Sequence, residues 1–271
     1  MAPFAAFAQD PAAPPPAPKK SAEPDYPDPR TITLGLSYWY TIPGSGPDIQ
    51  GGKIASGYES LFGLGAYKPG IAAEFSIPIT RTGVIHAEAF QDKGDGHQLA
   101  PKDTTVYAVP FIKNDYLSSQ YKIEGAKVYL EDLLYPYKFP VSKFRLRSIW
   151  AFQFIRINGV VDAPLKTVTT DSTGATTQTT GTSAHEVLLP MFGVAAEYAL
   201  APHLLFRASG SGFGLPHKSE VWDAQATIEY RHNKWEIVGG VKALHFKTSP
   251  QKDEYVSGTL DGPFITLRWH L

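Results

Sequence analysis

From residue 31 to residue 271, apolar and polar residues alternate with a period of two, segment after segment. Successive side chains of an extended chain point to opposite faces, so this pattern commits the chain to strands with one apolar and one polar face. Residues 31–41 put Ile32, Leu34, Leu36, Tyr38 and Tyr40 on one face and Thr33, Gly35 and Ser37 on the other. Residues 221–231 set Trp222, Ala224, Ala226, Ile228 and Tyr230 against Asp223, Gln225, Thr227, Glu229 and Arg231. The same alternation runs through 69–79, 83–91, 121–132, 143–157, 185–200, 203–214, 234–246 and 263–271. That makes ten strands, and no segment offers a competing helical period.

The connections between these segments alternate in length. Thr80-Arg81-Thr82, a proline-tyrosine turn around Tyr135-Pro136-Tyr137, Ala201-Pro202 and His232-Asn233 are short. Residues 42–67, 92–120 and 158–184 are long, and 167–182 holds nine threonines in sixteen positions. The N-terminus differs in kind. Ala6-Phe7-Ala8 reads as a small-x-small cleavage pattern, so residues 1–8 are expected to be the remnant of a signal peptide. Residues 9–30 carry eight prolines in their last 20 positions before Arg30 and read as an extended tether. Residues 31–271 are the folded domain. No cysteine is present, which excludes disulfides, zinc-cysteine sites and a thiol nucleophile. The formal net charge is −1 with no long basic run, so no nucleic-acid partner is expected.

Ten alternating strands, short turns at one end and long polar loops at the other, and the closing segment GPFITLRWHL together resemble the Gram-negative outer-membrane β-barrel proteins, over residues 31–271. Trp269 and Leu271 are similar to the aromatic-apolar ending that the barrel assembly machinery recognises in that superfamily. The final Leu271 departs from its usual Phe or Trp. The resemblance implies an all-β fold, a closed antiparallel up-and-down transmembrane barrel of about ten strands. It also implies an outer-membrane location, lipid and lipopolysaccharide as surroundings, and both termini on the periplasmic side. Trp222 and Tyr230 fit this: eight residues apart on one face, they span about 21 Å at ~3.4 Å per residue and ~40° tilt.

On that reading the polar face turns into the lumen. It carries Glu74, Glu88, Glu131, Glu197, Asp223, Glu229 and Glu236 against Lys127, Arg145, Arg147, Arg207, Arg231, Lys242 and Arg268. Unpaired buried charge is costly, so these fourteen groups are expected to form a lumen-lining network. Hairpin neighbours give Glu131 beside Arg145 or Arg147, and Arg207 beside Glu229 or Asp223. Three functions are compatible. The first is a narrow or gated small-solute channel lined by Arg145, Arg147, Arg207, Glu131 and Glu229. The second is a structural or surface-interaction barrel without transport. The third, weakest, is an outer-membrane protease or lipid-modifying enzyme. His217-Lys218-Ser219-Glu220 and the pair His86 and Glu88 are the only clusters that raise catalysis or metal binding, and both read as ordinary polar positions. No catalytic residue, metal or cofactor is assigned.

Overall fold

A computed structural model of the chain describes residues 31–41, 48–50, 68–100, 102–107, 109–135, 143–166, 178–216, 218–249 and 255–271. The expected signal-peptide remnant, the tether, most of the threonine-rich loop and His217 lie outside these residues. Among the described residues thirteen strands form, in the order β1 (Thr33–Thr41), β2 (Asp48–Gln50), β3 (Lys68–Pro78), β4 (Val84–Leu99), β5 (Thr104–Val106), β6 (Val109–Phe111), β7 (Tyr116–Tyr135), β8 (Phe144–Asp162), β9 (Thr180–Ala201), β10 (Leu204–Gly214), β11 (Glu220–His232), β12 (Trp235–Lys247) and β13 (Tyr255–His270). Ten of them make one antiparallel barrel, in the order β1-β3-β4-β7-β8-β9-β10-β11-β12-β13, with β2 added to the edge of β13. The barrel closes where β1 pairs with β13, from Thr33 opposite His270 to Trp39 opposite Phe264. Closure leaves the main sheet without an open apolar edge, which hydrocarbon would not tolerate.

Alternation translates directly into direction. Leu34, Phe152, Phe192, Ile228 and Leu267 are exposed on the outer wall, while Arg147 and Glu229 are buried. At the short-turn end, exposed Trp235 and Trp269 stack on neighbouring strands with ring centroids 5.2 Å apart. Asn233 turns β11 into β12 with φ of +56°, a conformation asparagine adopts more readily than most residues.

Five strands, β4, β7, β8, β9 and β13, run several residues further toward the long-loop end than the sequence pattern indicates. β7 has 20 residues where 121–132 was legible, and β9 has 22 where 185–200 was. Twenty residues rise about 50 Å along the barrel axis at ~40° tilt, twice the ~25 Å apolar band of an outer-membrane barrel. The extra length escapes the pattern because its hydropathy reverses phase. On β8 the outward residues pass from Phe152 to exposed Arg156, while the inward ones pass from Arg147 and Gln153 to buried Ile155, Ile157 and Val161. Outside the bilayer, water lies on the outer wall and the interior becomes the only place to bury apolar surface.

The lumen therefore has two layers. Its long-loop half is an apolar core in which Trp39, Phe90, Leu117, Tyr121, Ile123, Ile155, Val187, Leu244 and Phe246 join the small β5–β6 sheet through Val106, Val109 and Phe111. Glycines on the wall make room for the rings. A Cβ at Gly125 would run into the ring of Phe90, which stands opposite it on β4.

Candidate functional site

The short-turn half of the lumen is the charged layer. Period two puts one polar side chain from every second position of ten strands into a narrow bore, and all fourteen charged residues named from the sequence line its cavities. The larger cavity has a volume of about 130 Å³ and is lined by Glu74, Glu88, Glu131, Arg145, Arg147, Glu197, Arg207, Glu229, Arg231, Glu236 and Arg268. Lys127, Asp223 and Lys242 meet Glu88 and Glu131 around a smaller one above it, of about 20 Å³.

Glu197 is the hub of one cluster. It stands in register opposite Arg145 on β8 and opposite Arg207 on β10. Its carboxylate lies 2.8 Å from Arg145 Nε, 3.0 Å from Arg147 Nε and 2.8 Å from Arg207 Nη1. Arg147 also donates to the carbonyl of Thr82 in the β3–β4 turn, at 3.2 Å. The second guanidinium nitrogen of Arg207 reaches Glu131.

Arg268 is the hub of the other. It bonds Glu236 at 2.7 Å, pairs with Glu74 and approaches Glu229 at 3.5 Å. Glu74 and Arg268 lie two strands apart, on either side of β1, and Gly35 stands in register with both. A Cβ at Gly35 would lie 2.5 Å from Glu74 Cγ, so only glycine leaves the pair free to meet. His270 Nε2 closes the cluster on Glu236 at 2.7 Å.

Two further pairs cross the bore. Lys127 on β7 reaches Asp223 on β11, with Ser211 at 3.0 Å as a second acceptor. Lys242 on β12 reaches Glu88 on β4. Lys242 Nζ also sits 5.1 Å from the centroid of Trp39 and 5.8 Å from that of Phe90, at the seam between charged and apolar layers. Arg231 stands opposite Glu236 on β12 and donates through Nε to the carbonyl of Asn233 at 3.3 Å.

The network departs from the one expected in its extent and in its partners. The charged network occupies one half of the lumen, because the phase of the alternation reverses above the bilayer. The partners also differ: Glu131 takes Arg207 and not Arg145 or Arg147, while Asp223 takes Lys127 and not Arg207. In-register Glu197 captures the three arginines nearest to it, and the narrow bore brings opposite walls within side-chain reach. Hairpin adjacency, all that a sequence supplies, cannot register that reach.

Sequence reasoning passed over His86 and His270 as parts of the layer. His86 stacks on Tyr129 with centroids 4.6 Å apart and lies 3.8 Å from Glu131. Both histidines share the inward phase of charged neighbours, Glu88 and Arg268, and that phase was the available signal. Among the described residues no group of three His, Asp or Glu side chains is placed to hold a metal ion. Ser219, in the β10–β11 connection, is buried and its carbonyl accepts from Leu215 at 2.8 Å.

No protein-family model matches the chain, and no curated protein does. Among solved structures, the chain is similar to the outer membrane protease OmpT of Escherichia coli, with a TM-score of 0.58 at 9% identity over 90% of this chain and 97% of that one. Weaker likenesses are to Ail, the attachment invasion locus protein of Yersinia pestis (TM-score 0.35, 7% identity, 88% of this chain and 99% of that one), and to OprG of Pseudomonas aeruginosa (TM-score 0.33, 11% identity, 89% and 97%). The first of these shows the fold: a closed ten-stranded antiparallel barrel.

Proposed function

We propose that this is an integral outer-membrane barrel, closed to solutes at rest, that serves as a rigid surface-interaction platform with both termini on the periplasmic side. The observation that carries this is the order of the two interior layers. A salt-bridged layer fills the short-turn half, and an apolar core containing the β5–β6 hairpin sits directly above it. Ions crossing the lumen would have to traverse both. The long strands β7, β8 and β9 meanwhile raise a stiff wall beyond the membrane band, with charged pairs such as Arg156–Glu186 on its outer side. The expected small-solute channel is supported only in a gated form. In its favour, among the described residues β5 and β6 pair with each other and not with the barrel wall. OmpT's protease chemistry stays with OmpT, since the likeness extends to fold alone.

Planar-bilayer recording of the purified protein tests this. The expected result is no resolvable ion steps from the unmodified protein. Frequent, salt-proportional steps would overturn the closed-barrel proposal and establish an open pore. Steps that appear only when residues 103–113 are replaced by a short Gly-Ser linker would favour the gated channel over the platform.

A further inference from the structure

The β5–β6 hairpin is inside the barrel without belonging to it. Its backbone ladder is internal, Thr104 opposite Phe111 and Val106 opposite Val109. Its side chains Val106, Val109 and Phe111 are almost fully buried in the core of the long-loop half. At its tip Tyr107 has φ of +50° and lies on wall glycines: a Cβ at Gly159 would run into the Tyr107 hydroxyl, and one at Gly181 would be 3.1 Å from Tyr107 Cβ.

The neck of the hairpin is laced to itself. The backbone N–H of Ala100 donates to the carbonyl of Asp115 at 2.8 Å, that of Asn114 to the carbonyl of Ala100 at 2.8 Å, and that of Lys113 to the Asp103 carboxylate at 2.7 Å. These bonds let the segment move as one body. Lys166, from the β8–β9 connection, clasps this body from outside it. Its Nζ donates to the carbonyl of Pro110 at 2.8 Å, lies 3.8 Å from the Asp115 carboxylate and sits 5.7 Å from the centroid of the Phe111 ring.

We propose that the hairpin is a displaceable plug, held shut by Lys166, whose release opens the long-loop half of the lumen as an outward-facing apolar cup. The seat is apolar and glycine-floored, the plug is self-contained, and the latch is one side chain from the connection that carries the threonine-rich segment. A displaced plug would expose Leu117, Ile123, Ile155 and Val161, a lining suited to an apolar small molecule. The charged layer beneath would remain as the floor, so plug movement and ion conduction are separate properties.

Amide hydrogen exchange of the protein in lipid nanodiscs tests this apart from conductance. In the unmodified protein the β5 and β6 amides are expected to exchange well ahead of those in β7, β8 and β9. Lys166→Ala should speed β5–β6 exchange about tenfold and leave the wall strands unchanged, and Lys166→Arg should restore most of the protection. The chain has no cysteine, so Tyr107→Cys with Gly181→Cys introduces a single pair that, once oxidised, should slow β5–β6 exchange until it is reduced. Hairpin amides as slow as the wall and unmoved by Lys166→Ala would overturn the plug. So would hairpin amides unprotected in the unmodified protein, because the plug would then have no seat.

Discussion

Replacing Glu197 by glutamine strikes the charged layer at its most connected point. The residue is 4% exposed and bridges Arg145, Arg147 and Arg207, at 2.8, 3.0 and 2.8 Å. Arg207 keeps Glu131, but the bridges of Arg145 and Arg147 both run to Glu197. Removing one partner of a buried ion pair costs about 3–5 kcal/mol, because the remaining charge stays desolvated. At about 1.4 kcal/mol per tenfold, the ratio of folded to unfolded protein falls by a hundredfold or more. The assay is urea unfolding from lipid vesicles followed by tryptophan fluorescence. With an m-value of about 2 kcal/mol/M, the midpoint should drop by about 2 M. Glu186→Gln is the internal control. Its pair with Arg156, at 3.4 Å, has side chains 47% and 56% exposed, and exposed pairs contribute at most about 1 kcal/mol. Adding Arg147→Gln to Glu197→Gln should return part of the loss, since a missing pair is cheaper than a broken one. Equal, small effects of Glu197→Gln and Glu186→Gln would refute the reasoning, because the lumen arginines would then be solvated and the layer wet.

Phe152→Arg puts a charge on the outer wall within the apolar band and should cost about 2–4 kcal/mol in vesicles, whereas Gln120→Arg, above the band, should be near neutral; equal effects in the same titration would misplace the membrane. Gly125→Ala forces a methyl into the ring of Phe90 and should cost about 1–3 kcal/mol by the same measurement, while Gly239→Ala, whose new Cβ would meet nothing within 4 Å, should not. Arg207→Ala should leave single-channel recordings as silent as those of the unmodified protein, since the apolar core above the charged layer still closes the bore.

Period two alone determined that the chain forms strands, which of their faces is apolar, and that ten of them make the wall. Each of these is a local property of successive side chains, so residues such as Ile228 and Glu229 declare their opposite directions without any partner. The same phase placed all fourteen charges on the inner face. What it could not supply was contact. Glu131 meets Arg207, and Lys127 meets Asp223, only because closure folds distant strands around a narrow bore. Gly35 matters only because β1 passes between Arg268 and Glu74. The apolar core escaped notice for a different reason. Alternation defines two faces but not which medium each one meets, and that medium changes along a strand that outruns the bilayer. Ile155 and Arg156 continue the alternation of Phe152 and Gln153 with its meaning inverted. Only the height of the barrel, fixed by the pairing of β7, β8 and β9, decides where lipid gives way to water.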